Sequence, residues 1–294
     1  MDLPEPLITR TGYKSSAIES LGLLCARLRS PEDLWSLSLK YARPPSAISE
    51  ITNETATFID ATWGHLLNWD HEVLVSPAQL RIYAHALNRH GAPSQTVFGF
   101  LDCTIRRTCR PSEHQGLVYT GYKKHHGMKF QGVALPNGLL AHLSGPFRAP
   151  QNDAGVLGES DLVTSLAMYA IQPGSREGDI PARRFYQLYG DSAYGVSNHI
   201  VSPFSATGHQ TAQEKAWNTA MGGVRISVEH AFGLILQDWP YLNAFWKHKI
   251  LGNACGLFYR VGALLTNAKA CVVPNQTAQR YDCAPPSLEE YFHR

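Results

Sequence analysis

The chain has 294 residues and a formal net charge of +2 with histidine neutral. Hydrophobic residues make up 44% and charged residues 17%, a balance typical of a globular protein with a sizeable core, which excludes a disordered chain. No apolar run approaches the roughly 18 residues of a membrane span, and the N-terminus lacks the basic and apolar regions of a secretory signal. The six cysteines lack metal-binding spacing, which favours reduced thiols in an intracellular protein.

Helical patterns dominate the first third of the chain. Residues 1–16 predict an extended or poorly ordered arm, and residues 17–95 a helical region with a linker. Three short helices are expected, the second starting at Ser30-Pro31 and the third at Ser46. Their tight turns are compatible with a helix-turn-helix unit or with a helical cap on the main domain. The acidic start of the third helix slightly favours the cap.

Residues 96–271 show the pattern of a mixed α/β domain, and residues 272–294 that of an irregular tail. Asn137-Gly138 predicts a hairpin between two strands. Hairpin strands followed by alternating helices and a strand predict a mixed sheet with helices on its faces. Strands are expected at 97–102 (continuing toward 108), 130–135, 139–143 and 185–189, and helices at 154–170, 212–236 (loosened at Gly222-Gly223) and 247–270.

The segment between residues 103 and 131 is basic. It contains one acidic residue, Glu113, and many that are basic or can become so, among them Arg106, Arg107, Arg110, Lys123, Lys124, His125, His126 and Lys129. A basic surface of this kind fits a polyanionic substrate, and it equally fits a solvated loop. Charge alone does not separate these two interpretations.

Three acidic residues stand in positions that suggest chemistry. Asp102 and Asp191 each follow a short apolar or aromatic run that predicts a buried strand, and Glu229 lies within a helical pattern. A carboxylate at a buried strand end is costly unless it is paired or binds a metal. Separately, each has a structural alternative: a loop cap for the aspartates, and an i,i+4 ion pair with Arg225 for Glu229. Together, three such carboxylates would form the hard oxygen site that Mg²⁺ or Mn²⁺ prefers.

The order of these motifs resembles the transposases of the PIF/Harbinger superfamily, most closely their fungal and related eukaryotic members. The resemblance rests on Phe-Gly-Phe-Leu-Asp-Cys-Thr ending at residue 104, on Tyr-Gly-Asp-Ser-Ala-Tyr ending at Tyr194, and on the spacing of Asn218, Arg225, Glu229 and Phe232. The stretch 119–131 and the ending Pro-Pro-Ser-Leu-Glu-Glu-Tyr also match. Cys103 stands where the family usually has glycine, and Asn152 where it commonly has histidine, which leaves Asp153 as a candidate N-cap of the next helix.

The resemblance implies an RNase H-like fold of the α/β class, preceded by a small all-helical region, and a DDE endonuclease or transposase that cuts and joins DNA. Asp102, Asp191 and Glu229 would be the catalytic residues and would bind two divalent cations, Mg²⁺ or Mn²⁺. The residues expected to contact DNA phosphates are Lys123, Lys124, His125, His126 and Arg225. The expected partners are double-stranded DNA at the element ends, a Myb-like DNA-binding protein and a second copy of the chain, in the nucleus.

Two other functions stay open at the level of the sequence. The first is a domesticated, catalytically silent protein that binds chromatin or a Myb-like partner. The second is an RNase H-like nuclease that acts on RNA or on repair intermediates. Metal-dependent cleavage would separate an active transposase from the former, and substrate preference would separate it from the latter.

Overall fold

The computed structural model describes residues 1–250 and 252–294, with their side chains except those of residues 226–228. The N-terminal arm contains a short antiparallel pair, β1 (Leu7–Ile8) and β2 (Lys14–Ser15). Leu7 is buried against the helices that follow, so the arm is ordered by packing. These helices are α1 (Ala17–Arg29), α2 (Leu34–Tyr41), α3 (Pro45–Trp63) and α4 (Pro77–Arg89).

The predicted start of α2 at Ser30-Pro31 is wrong by about one turn. The helix begins at Leu34 because the Asp33 carboxylate accepts a hydrogen bond from the Ser36 N–H at 2.8 Å and caps it. Helices α1 and α3 bury residues such as Leu24 and Ile59 in the same core as the strands described next. The boundaries at residues 16, 95 and 271 stay a prediction.

The centre of the chain forms a six-stranded mixed sheet, which confirms the α/β class and is consistent with an RNase H-like fold. Strand β5 pairs antiparallel with β3, β4 and β6, whereas β3, β7 and β8 run parallel to one another. Helices flank this sheet, as predicted. The strands are β3 (Val97–Arg107), β4 (Tyr119–Thr120), β5 (His125–Ala134), β6 (Leu140–Arg148), β7 (Gln187–Tyr189) and β8 (Ile200–Val201).

The predicted hairpin joins β5 to β6. Gly138 has a φ of 82°, which glycine adopts without strain, and the Leu135 N–H donates to the Leu139 carbonyl at 3.0 Å. Asn137 has a negative φ and its carboxamide oxygen accepts from the Leu139 N–H at 3.1 Å, so the turn is a three-residue loop with glycine in the left-handed position.

The remaining helices pack around the sheet. Helix α9 contacts β3 and β5, and α10 contacts β6 and α3. Among the described residues, no helix is long and apolar enough to cross a membrane, and all six cysteines are free thiols. The helices are α5 (Gln115–Val118), α6 (Asp153–Glu159), α7 (Leu162–Tyr169), α8 (Pro181–Arg184), α9 (Ala212–Asp238), α10 (Cys255–Val272), α11 (Gln276–Tyr281) and α12 (Leu288–Tyr291).

Several predictions about the later elements are wrong. The helix expected at 154–170 is two helices, α6 and α7, and the helix expected at 247–270 begins only at Cys255. Helix α9 was expected to loosen at Gly222-Gly223, yet it continues through both residues, which are exposed with open space around their Cα atoms. A glycine pair costs roughly 2 kcal/mol of helix propensity, which a long helix recovers by burying its apolar face. The tail is not irregular: α12 buries Tyr291, whose hydroxyl accepts a hydrogen bond from the Asn267 amide at 3.0 Å.

Candidate active site

Asp102 lies where β3 loses one of its two neighbours. Strand β7 pairs with β3 only between Val97 and Phe100, whereas β5 follows β3 as far as Arg107. From residue 101 onward, β3 therefore has an edge toward β7 that is free of strand pairing. The Asp102 side chain, 18% exposed, accepts a hydrogen bond from the Cys103 N–H at 2.9 Å.

Asp191 comes directly after β7 in a tight turn. Its carboxylate accepts a hydrogen bond from the Ala193 N–H at 2.9 Å and caps the 3₁₀ turn Ser192–Tyr194. Gly190 makes the turn possible, because a Cβ atom at that position would lie 2.7 Å from the Tyr194 ring. Ser202, just beyond β8, donates to the Asp191 carbonyl at 2.9 Å and fixes the turn from the other side.

A side-chain hydrogen bond connects this turn to β3. The buried Tyr194 hydroxyl donates to the Cys103 Sγ at 3.2 Å, one residue after Asp102. Burial raises the pKa of the Cys103 thiol, so this sulfur stays protonated and neutral. Cys103, which departs from the family's usual glycine, therefore helps to hold the Asp191 turn beside Asp102.

Helix α9 supplies the third candidate acid. Thr211 and Glu214 form a capping box that fixes the start of the helix. Glu229 is exposed and faces the same cleft as Asp102 and Asp191. One turn earlier, the Arg225 Nη2 lies 3.5 Å from the Asp102 Oδ1. The ion pair of Arg225 with Glu229, which was the structural alternative for Glu229, is therefore replaced by a pair with Asp102.

The three candidate acids line one open cleft of about 750 Å³. The pKa of Asp102 is raised to about 6, chiefly by burial, against which the Arg225 charge and the Cys103 N–H act; the charges of Asp191 and Asp153 add smaller upward contributions. Asp102 therefore bears an electrostatic cost that its arginine neighbour does not remove. A cation placed among these carboxylates would relieve that cost.

The donor set fits a divalent cation in its chemistry, since carboxylate oxygens are the ligands that Mg²⁺ and Mn²⁺ prefer. Over residues 1–250 and 252–294, no three His, Cys, Asp or Glu side chains are arranged so that they could hold a metal ion. The fold thus brings the three carboxylates to one cleft, but not close enough together to bind one ion. The charged group that pairs with Asp102 is instead Arg225.

An ion pair that the sequence did not reveal forms another wall of the cleft. The Lys129 Nζ lies 2.8 Å from the Asp153 Oδ1 and also donates to the Gln151 carbonyl, with the lysine side chain only 9% exposed. Asp153 was a candidate N-cap, and this is wrong: Asn152 caps α6 through the Gly155 N–H at 2.7 Å. The position of Lys129 beside a predicted buried strand could have indicated that it needs an acidic partner, but that partner is 24 residues away in the chain.

The predicted DNA-binding residues stand at the rim or beside it. Lys123 and His125 line the cleft, and Lys124 and His126 are their chain neighbours. Lys124 is exposed in a turn with a φ of 54°, and His126 packs against Tyr119 with ring centroids 5.2 Å apart. Tyr122 was not predicted as a site residue, yet it lines the cleft with 84% of its surface exposed, and the Lys123 Nζ lies 4.6 Å from its ring centroid.

A family model matches residues 101–267, and its description is DDE superfamily endonuclease. The match begins one residue before Asp102, contains Asp191 and Glu229, and ends within α10. It covers more than half of the 294 residues. Searches of curated proteins and of solved structures returned no match.

Proposed function

The chain belongs to the DDE superfamily endonucleases, and we propose that it is a metal-dependent endonuclease and transposase that cleaves and joins DNA phosphodiesters. The observation that carries the proposal is the cleft. Three carboxylates chosen from the sequence line this one cavity, although 127 positions of the chain separate the first, Asp102, from the last, Glu229. The motifs quoted above favour the PIF/Harbinger superfamily within this family.

Asp102, Asp191 and Glu229 would hold the cations, two in number. When bound, divalent cations supply Lewis-acid stabilisation of the charge that develops on the phosphate oxygens. The chain's own contribution is to orient two of these carboxylates: the Cys103 N–H orients Asp102, and the Ala193 N–H orients Asp191. The low exposure of Asp102 keeps water from competing for its oxygens.

Double-stranded DNA would approach over the basic rim. Lys123, Lys124, His125 and His126 would contact phosphates, and Arg225 would exchange its contact with Asp102 for one with a phosphate as cations enter. Local charge at the rim supports this role, since the net charge of the whole chain is only +2. Recognition of the element ends would rest on a Myb-like partner and on a second copy of the chain, and the protein would act in the nucleus.

The test is nicking of duplex DNA that carries the element's terminal repeats, with Mg²⁺ or Mn²⁺, by wild type and by Asp191→Asn. The variant keeps the hydrogen-bond acceptor for Ala193 and loses a negative ligand. We expect cleavage to fall by more than about 100-fold, since even outer-shell partners of a metal cost 10–100-fold. Unfolding by heat should be unchanged.

Asp161→Asn is the matched control. Asp161 is exposed and precedes α7 without a side-chain capping bond, so the variant should nick DNA at the rate of wild type. Nicking by Asp191→Asn at the wild-type rate would refute the assignment of the three acids. No cleavage by folded wild type, even with a Myb-like partner present, would favour the domesticated binding protein.

A further inference from the structure

A glycine on the sheet faces an aromatic ring of α9 beside the three acids. Gly132 lies on β5 directly opposite Asp102 in the strand register. A Cβ atom at Gly132 would lie 2.8 Å from Cε1 and 2.9 Å from Cζ of Phe232. Cβ atoms do not approach other atoms this closely, so the ring occupies the space that any larger residue at position 132 would need.

The backbone of Gly132 does not require glycine. Its φ lies outside the left-handed region, so an alanine would adopt the same conformation without strain. Phe232 is only 6% exposed and belongs to the main hydrophobic core, so its ring cannot move aside without displacing other core residues. The absence of a side chain at Gly132 is thus explained by the approach of α9, not by the turn or twist of the strand.

The same helix face touches the Asp102 neighbourhood a second time. Residues three, four and seven apart share one face of a helix, and Arg225, Glu229 and Phe232 have this spacing. Arg225 contacts the Asp102 carboxylate and Phe232 contacts the glycine opposite Asp102. Glu229 lies between these two contacts, so the depth at which Phe232 seats on the sheet sets the depth of Glu229 in the cleft.

We propose that Gly132 and Phe232 are positioning residues, whose contact seats α9 on the sheet and thereby places Glu229 against Asp102. This inference rests on the proposed function, since it assigns to Glu229 the role of a metal ligand. Neither residue would touch substrate. An added methyl group at position 132 would lift the centre of α9 and draw Glu229 away from the two aspartates, where geometry within about 0.5 Å matters.

The experiment compares four proteins: wild type, Gly132→Ala, Phe232→Leu and the double variant. Mn²⁺ binding is followed by the electron paramagnetic resonance signal of the free ion, without DNA, and nicking is measured against Mn²⁺ concentration. We expect Gly132→Ala to weaken Mn²⁺ binding and to raise the Mn²⁺ concentration for half-maximal nicking, each by about 10-fold, as for other residues that orient metal ligands. Duplex binding without metal should be unchanged.

The double variant decides between positioning and general damage. Leucine lacks the ring atoms Cε1 and Cζ that the new methyl group would meet, so Gly132→Ala/Phe232→Leu should recover most of the Mn²⁺ affinity lost in Gly132→Ala. Gly99→Ala is the control. Its Cβ would lie 2.9 Å from the Ala134 carbonyl and next to Leu135 and Leu188, none of which belongs to α9, so it should lower thermal stability and leave Mn²⁺ affinity as in wild type.

Wild-type Mn²⁺ affinity in Gly132→Ala would overturn the inference, and so would an affinity loss that the double variant fails to recover. Should Gly132→Ala not fold, Phe232→Leu decides alone, because this variant removes the ring that holds α9 against Gly132. We then expect weaker Mn²⁺ binding, and an unchanged Mn²⁺ affinity would overturn the inference. Failure of the proposed function gives a different pattern, in which wild type itself neither nicks DNA nor binds Mn²⁺.

Discussion

Two parts of the molecule differ in how completely their polar groups are paired. Where α10 meets β6, they are closely paired. The Arg260 guanidinium donates to the Asp60 Oδ1 at 2.9 Å, to the Leu143 carbonyl at 2.8 Å and to the Gly64 carbonyl at 3.2 Å. Asn267 binds both backbone groups of Leu140, at 2.9 and 2.8 Å. These bonds join the N-terminal helices, the sheet and α10 into one body.

The cleft leaves its polar groups under-paired. Within the described part of the chain, several buried side-chain atoms that line the cleft or lie beside it have no hydrogen-bond partner: Arg106 Nε, Gln131 Oε1, Gln151 Oε1 and Arg225 Nε. Each such group costs roughly 1–3 kcal/mol. Like the raised pKa of Asp102, these unpaired groups favour a functional role for this end of the sheet, since functional sites commonly break the rules of polar pairing.

The first part is not free of such costs. The Nδ1 of His142 on β6 is buried without a partner among the described residues. Burial, helped by the charge of Arg260, lowers the pKa of His142 to about 4, so the ring is neutral at pH 7. The contrast between the two parts is therefore one of degree, and mutations on each side can measure it.

The largest expected effect on stability belongs to the paired side. Arg260→Leu removes three hydrogen bonds and leaves the Asp60 carboxylate, 27% exposed, without its ion-pair partner. We expect the free energy of unfolding in urea to fall by about 3 kcal/mol, the range for breaking a partly buried pair. Nicking at a temperature well below the unfolding midpoint should match that of wild type.

Arg183→Leu provides the comparison for this substitution. Arg183 is exposed on α8, and its loss should change the unfolding free energy by less than about 0.5 kcal/mol. A loss of under 1 kcal/mol in Arg260→Leu would mean that water replaces the guanidinium easily, and the contrast between the two parts of the molecule would then be much weaker than the contacts indicate.

The same contrast separates what could be predicted from sequence from what could not. Local signals identified the hairpin at Asn137-Gly138 and the buried strands that carry Asp102 and precede Asp191, because turn residues and apolar runs are set by nearby chain. Glu229 was chosen from the order of the family's motifs. The pair of Lys129 with Asp153, and the contact of Arg225 with Asp102, join residues far apart in the chain. No local sequence pattern indicates which basic side chain will pair with which acid, so these two pairs could be identified only from the three-dimensional structure.

The shortest helices and strands could not be predicted from local sequence patterns either. Strand β8 has two residues and α12 has four, which is too short for periodicity to register. Helix α12 persists because Tyr291 is fully buried and hydrogen-bonded to Asn267, a tertiary contact. The continuation of α9 through Gly222-Gly223 has the same origin, since helix propensity alone predicts a break there.

A change in stability of opposite sign, and at most of equal size, is expected on the cleft side, from Asp102→Asn. The pKa of Asp102 is raised in the folded chain from 3.8 to about 6, so folding is favoured while the group is protonated, and this advantage is lost as the pH rises through 6. At pH 8 without metal, the neutral amide should therefore stabilise the protein, by up to about 3 kcal/mol. Below pH 4 the substitution should have little effect.

Urea unfolding at pH 4 and pH 8, with a chelator present, measures this difference. Glu54→Gln, at an exposed position on α3, should be neutral at both values of pH. Destabilisation by Asp102→Asn at pH 8 would show that the ion pair with Arg225 outweighs burial, and that the cleft is better paired than the raised pKa of Asp102 indicates.

The smallest effect concerns the rim, where charge is exposed. Lys123→Ala should weaken duplex binding in the absence of metal by a few-fold. It should also reduce the slope of log affinity against log salt concentration by about 1, because one phosphate contact releases close to one counterion. Fluorescence anisotropy of a labelled duplex over a range of salt concentrations measures both quantities. Because Lys123 is exposed, its removal should leave the unfolding free energy unchanged.

Lys14→Ala removes an equal charge from β2, an exposed position outside the residues that line the cleft. If the net charge of the whole chain governed binding, the two variants would lose affinity equally, since each lowers it by one. A salt slope that falls only in Lys123→Ala would instead locate the bound phosphates at the cleft. Equal loss of duplex affinity in both variants would contradict the assignment of Lys123 to a phosphate contact. It would imply that a chain with a net charge of only +2 attracts DNA through its overall charge and not through the residues at the cleft.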